Sequence, residues 1–173
     1  MLKEFLEWAR AIILALVIGL VLTLIVRPIL VKGHSMEPTL GDNNYLLIEQ
    51  VSYQMSEPNY GDIIVFKSEL YSPQGERRDL IKRVIGSSGD HVTINDGEVY
   101  INDVLLDEVY LREGFTSGKI DLIIPDGCVF VMGDNRGNSM DSRSSDVGIV
   151  HDEQIRGRVL IRLFPINRFG AIE

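Results

Sequence analysis

Cysteine is nearly absent: Cys128 stands alone among 173 residues, which excludes an intramolecular disulfide framework and any multi-cysteine zinc or iron–sulfur site. Histidine is scarce as well. His34, His91 and His151 fall in no HxH, HExxH or Cys–His spacing, so neither a metal nor a cofactor is expected. No Gly-rich phosphate loop is present, since GSSGD at 86–90 lacks the lysine and the following helix of one. Basic residues are outnumbered, 17 Lys and Arg against 25 Asp and Glu for a net −8, which argues against a nucleic-acid partner. Six prolines and 16 glycines in a chain 45% hydrophobic and 24% charged exclude collagen, low-complexity and wholly disordered classes. The length suits one domain and hardly two.

What is present is unevenly distributed. In the first 32 residues Lys3, Arg10, Arg27 and Lys32 oppose Glu4 and Glu7, giving +2 and leaving −10 for the rest. Residues 11–26, AIILALVIGLVLTLIV, run sixteen positions without a charge. As a helix they span about 24 Å, short of a ~30 Å hydrocarbon core. Trp8 as an interfacial aromatic and Arg27 as a snorkelling cation extend the span to about 8–27. A cleavable signal peptide needs a small-x-small site, and VRPILVKGHS (26–35) offers none. Residues 1–27 therefore read as an uncleaved membrane anchor and 28–173 as a separate body. Flanking charges do not decide the orientation, because Lys3 and Arg10 are matched by Arg27 and Lys32.

The body reads as mostly β. YLLIEQV (45–51), DIIVFKS (62–68), LIKRVIG (80–86), HVTIND (91–96), EVYIND (98–103), CVFVM (128–132) and RVLIRLF (158–164) are short, β-branched runs between turn residues. Asp96-Gly97 marks a hairpin. The pattern predicts an antiparallel barrel or multi-sheet domain behind one N-terminal helix. Polar residues 68–79 are expected as a loop or hairpin tip, and 105–124 as a second exposed excursion. Cys128 reads as core packing in its strand.

Few residues offer chemistry. His34 adjoins Ser35, and neighbours on a strand face opposite ways, so it serves that serine poorly. Lys82 lies inside LIKRVIG with Leu80 and Val84 on its own strand face. It is either a snorkelling edge lysine or a desolvated amine whose lowered pKa lets it accept a proton. Ser35, ahead of Met36-Glu37-Pro38-Thr39, is a plausible nucleophile but a weak signal by itself.

Together these segments resemble bacterial type I signal peptidase in its compact single-anchor form, a Ser/Lys protease. GHSMEPTL (33–40) is similar to its nucleophile box and YGDIIVF (60–66) to the next block. KRVIGSSGD (82–90) is similar to the general-base box, MGDNRGNSMDSR (132–143) to the last box, and RGRVLIRLFPINRFG (156–170) to the closing strand. The resemblance implies Ser35 as nucleophile and Lys82 as general base, with Ser139 hydrogen-bonding the lysine. It implies Asp141 and Arg143 as a supporting ion pair, and structural weight for Asp134 and Arg83. Some members carry a serine two residues before the nucleophile to complete the oxyanion hole; Gly33 stands there here. The Ser35 N–H is one donor, and the second is left open.

The implied substrates are secretory preproteins with small-x-small (Ala-x-Ala) sites, added as a strand beside 28–35 and 79–82 with Met36 and Ile81 near the side-chain pockets. The implied setting is the lipid bilayer of the cell membrane, with the N-terminus cytoplasmic and the body extracytoplasmic. Ile29, Leu30 and Val31 would then hold the site against lipid. Two rivals remain: a self-cleaving SOS-type repressor, disfavoured because residues 1–27 are not helix-turn-helix-like, and a membrane-tethered β scaffold without catalysis.

Overall fold

A computed structural model describes residues 2–54, 56–112 and 114–172. One long helix, α1 (Leu2–Ile25), precedes a body made almost wholly of antiparallel strands. The apolar residues of α1 are exposed all round it, and Lys3–Ile25 has a mean hydropathy of 2.5. A helix apolar on every face with nothing packed on it has the composition of a membrane span. It gives way to β1 (Val26–Leu30) directly, two residues before the expected boundary, so Arg27 belongs to a strand. Gln50 N–H donates to the Ile25 carbonyl and ties the helix end to the body. Pro28 is tolerated because β1 is an edge strand.

The remaining strands of the large sheet are β2 (Tyr45–Glu49), β3 (Ile63–Tyr71) and β4 (Arg77–Gly86), then β9 (Cys128–Met132), β10 (Val150–His151), β11 (Ile155–Phe164) and β12 (Gly170–Ala171). Their order is β1-β2-β11-β3-β4-β9-β10, with β12 beside β11. Between β4 and β9 the chain builds a small sheet from β5 (His91–Asn95), β6 (Glu98–Ile101), β7 (Val104–Leu105) and β8 (Ile120–Ile123), ordered β7-β6-β5-β8. Asp96 and Gly97, both at positive φ, turn the β5–β6 hairpin.

Strands buried on two faces read as continuous apolar runs rather than alternations. In β3, Ile63 and Val65 join one core cluster with Met36, Leu40, Leu46 and Ile48, while Ile64 and Phe66 join another with Val84, Val129 and Val131. In β9, Cys128, Phe130 and Met132 face a third cluster made with Val92 and Ile94 of the small sheet and Ile124 just beyond it. Cys128 is thus core packing.

Two expected loops are partly strand. The segment 68–79 is mostly ladder, with Lys67 opposite Asp79 and Tyr71 opposite Arg77, and only 72–76 turn. In 105–124, β8 pairs with β5 and Thr116 and Ile124 are buried. The Ile120–Ile124 alternation was a strand signal outweighed by the acidic residues around it.

Gly157 sits where β11 slips register against β3, and a methyl group there would collide with the Glu49 carbonyl of β2. Gly157→Ala is expected to lower the unfolding free energy by about 1–3 kcal/mol, measured by denaturant titration of the detergent-solubilised chain.

Candidate functional site

The turn after β1 carries Ser35. Met36 and Leu40 plug into the core beneath it, and the Leu40 N–H closes a turn onto the Met36 carbonyl. Gly33 supplies the positive φ at its entrance, and its N–H donates to Asp42 Oδ1 at 2.8 Å. The hydroxyl of Ser35 is held above this plug, half-buried.

Lys82 arrives from β4, 47 residues on, with its amine 2.7 Å from Ser35 Oγ. The second contact of the amine is the Ile81 carbonyl at 3.0 Å. Lys82 is only 2% exposed, so the edge-snorkelling reading fails. Burial disfavours the ammonium and pulls its pKa down to about 8, against the upward pull of Asp141. An unfolded chain would hold this proton up to pH ~10.5. The buried amine therefore costs nothing above that pH and destabilises the fold increasingly as pH falls towards 8.

Box residues 133–143 form the wall behind the pair. Asn135 N–H donates to the Ser35 carbonyl at 3.0 Å, and Asn135 Nδ2 donates to the His34 carbonyl. Gly133 packs so closely that a methyl group there would collide with the Ser35 carbonyl and Ser139 Oγ. Asp141 takes Arg143 in a two-point contact at 2.8 and 2.9 Å and also accepts the Gly133 N–H. Burial alone would raise this carboxyl; Arg143, the Ser139 hydroxyl and the Gly133 N–H hold it net below the usual carboxylate range. Arg83, beside Lys82 on β4, makes a second two-point pair with Asp134, at side-chain exposures of 3% and 1%.

Ser139 departs from its assigned contact. Its hydroxyl is packed on Gly133 and lies against the Asp141 carboxylate, which it helps hold in the charged form, rather than bonded to Lys82. The lysine amine turns instead to the Ile81 carbonyl.

A cleft of about 470 Å³ opens over Ser35 and Lys82 between β1 and β4. Met36 and Ile81 line it, as do Ile29, Leu30, Val31 and Leu80. Val31 is core, and Ile29 packs on the same cluster, so these side chains are shared between cleft and interior. The cleft walls carry unpaired backbone: β1 is an edge, and β9 pairs β4 only along Arg83–Gly86, leaving the stretch before it open on that side among the described residues.

Sequence reasoning missed a strap over the loop 133–143. Arg136, buried, pairs with Glu108 and Thr116 and donates to the Gly133 carbonyl. Arg83 lies 4.0 Å from the Tyr110 ring centroid, and Arg143 donates to Ser117. The arginines were visible in the boxes; their partners, on a segment without a motif, carried no signal.

The family model described as signal peptidase, peptidase S26 matches residues 5–164. A probable signal peptidase I-1 of Synechocystis sp. is 41% identical over 165 residues, covering 91% of this chain and 83% of its own. Signal peptidase I of Bacillus amyloliquefaciens is 36% identical over 173 residues, covering 94% and 89%. A crystal structure of a signal peptidase I from Enterococcus faecalis V583 aligns with a TM-score of 0.49 at 33% identity, over 60% of this chain and 97% of its own.

Removing one partner of the Arg83–Asp134 pair leaves an uncompensated buried charge. Asp134→Asn is expected to cost about 3–5 kcal/mol of folding stability, whereas Arg158→Gln, which breaks only looser 3.5 Å pairs at a partly exposed site, costs under about 1 kcal/mol. Denaturant midpoints of the two variants measure the contrast.

Proposed function

The chain belongs to the signal peptidase family, peptidase S26, and from that premise we propose that it cuts by a Ser35 nucleophile and a Lys82 general base after small-x-small sites. As a signal peptidase it removes signal peptides from preproteins. The observation that carries the mechanism is the 2.7 Å approach of a buried lysine amine to a serine hydroxyl.

The chemistry follows from those two groups. A neutral amine takes the proton as Ser35 Oγ attacks the scissile carbonyl, then returns it to the departing amine, leaving an acyl-enzyme. Water, deprotonated by the same amine, attacks the ester and frees the serine. The Ser35 N–H, which has no acceptor among the described residues, donates to the oxyanion. Asp141 and Arg143 support the wall behind the pair, with Asp134 and Arg83 beside them.

The open backbone of β1 and β4 supports an extended substrate that adds as a strand, with small side chains over Met36 and Ile81. The N-terminal apolar helix is consistent with a membrane anchor. We place the N-terminal helix, which ends at Ile25 rather than at residue 27, in the lipid bilayer of the cell membrane, N-terminus cytoplasmic, with the body from β1 onward as the extracytoplasmic catalytic domain.

Cleavage of a synthetic preprotein in detergent is expected after its small-x-small site, with Ser35→Ala and Lys82→Met each abolishing it. A Lys82→Met variant that still cuts would remove the lysine from the mechanism. The base works only when unprotonated, so kcat/KM should rise as pH increases and level off above about 8. An ascending limb near pH 6 would assign the base to a histidine instead.

A further inference from the structure

Acyl transfer through a tetrahedral intermediate needs hydrogen-bond donors aimed at the oxyanion, and a single backbone N–H is a sparse set. The Ser35 N–H is one such donor. Gly33, two residues earlier, has no side chain to add, and nothing lies within 4 Å of where its Cβ would be. The space is open on that side, so any second donor reaches in from another element.

The cleft over Ser35 limits the candidates. Lys32 Nζ is engaged with Asn43 Oδ1 at 3.2 Å, and the Gly33 N–H with Asp42. His34 Nδ1 sits 2.9 Å from Glu37 Oε1 with its ring largely in solvent. Arg78 lies four residues up β4 from Lys82, about 13 Å at strand rise. Asn138 lines the same cleft as Ser35 and Lys82, and its side-chain amide has no partner among the described residues. It is also positioned: Asn138 N–H donates to the Asn135 carbonyl, and Asn135 N–H donates to the Ser35 carbonyl, both at 3.0 Å. Two hydrogen bonds thus tie the turn carrying this amide to the residue carrying the nucleophile.

We infer that Asn138 is the second oxyanion donor, its Nδ2–H meeting the negative oxygen that forms when Ser35 Oγ adds to the scissile carbonyl. The inference rests on the assignment of Ser35 as nucleophile. In that step the Oγ–C bond forms, the carbonyl π pair moves onto oxygen, and the hydroxyl proton passes to Lys82. The amide carries no charge and has only water to lose, so it stabilises the charged intermediate without holding the ground state more tightly.

The test uses the full chain in detergent with a synthetic preprotein and a peptide aldehyde, which forms the same tetrahedral adduct on a serine. Asn138→Asp keeps the shape and removes the donor; Asn138→Ala removes both. Each is expected to lower kcat about 100-fold with KM within about threefold. Aldehyde affinity should fall by a similar factor, and the ascending pH limb of Asn138→Ala should stay where the wild type has it, whereas the carboxylate of Asn138→Asp, in the same cleft as Lys82, moves its limb to higher pH. Cleavage by both variants within threefold of wild type overturns the assignment, as does a loss confined to KM or one that spares the aldehyde. Ser35→Ala runs alongside: if it still cuts, the nucleophile assignment has failed and this one with it. If it is inert while Asn138→Asp is not impaired, only Asn138 is wrong.

Discussion

A buried lysine cannot hydrate its ammonium, so its environment decides whether it keeps its proton. Lys82 lies inside the body, 2% exposed, with its amine between a serine hydroxyl and a backbone carbonyl. Neither contact is an ion. The nearest source of stabilisation for the ammonium is Asp141, whose charge raises the lysine pKa. Left alone, a carboxylate at this range would draw the proton back and leave an ammonium at the site. Arg143 prevents that. Its guanidinium covers both carboxylate oxygens, and the Gly133 N–H takes a further share. Asp141 thus serves the wall of the site while most of its field is spent on Arg143.

The same economy recurs around the box loop. Arg83, next to Lys82 in sequence, would be a cation beside the amine were it not held by Asp134 and stacked on Tyr110. Arg136 is buried and held by Glu108. Each buried arginine around the box loop has a carboxylate of its own, so their charges cancel locally and the lysine is left there without an ion pair; Arg162, the other buried cation without a carboxylate among the described residues, lies on β11 and donates to the Thr39 carbonyl. Buried pairs of this kind add little net stability, but breaking one is costly. They fix the geometry of 133–143, which in turn presses Gly133 against Ser35 and ties Asn135 to its carbonyl.

Much of this was legible in the chain. The apolar run before Val26 has a composition that only a wholly exposed or wholly buried helix can carry, and CVFVM reads as the doubly buried strand it is. The boxes around Ser35 and Lys82 singled out the two groups that meet across 47 residues of chain. Their meeting was legible only by resemblance, since no local rule brings a turn after β1 to the middle of β4. The strap was hidden for a related reason. Glu108, Tyr110 and Thr116 look like any polar excursion until three arginines from elsewhere close on them. Ser139 shows the opposite limit: a motif position transfers a residue, while its hydrogen bond depends on where a rotatable amine finds its partners.

On the proposed function, the helix bears on catalysis through its junction. No linker separates α1 from β1, the Ile25 carbonyl is bonded to Gln50 N–H, and Val26 already pairs with Glu49. With the helix in a bilayer, the mouth of the cleft therefore lies one short strand from the lipid surface rather than on a flexible tether. A substrate held by its own apolar segment would meet the site at nearly fixed height. Most of its translational freedom would be lost before binding, and a shallow cleft with few contacts could then suffice. The apolar side chains that β1 contributes to the cleft, Ile29 and Leu30, follow from the same placement. Along this strand the chain passes from the apolar helix to the cleft wall within five residues, so β1 is constrained at both ends at once.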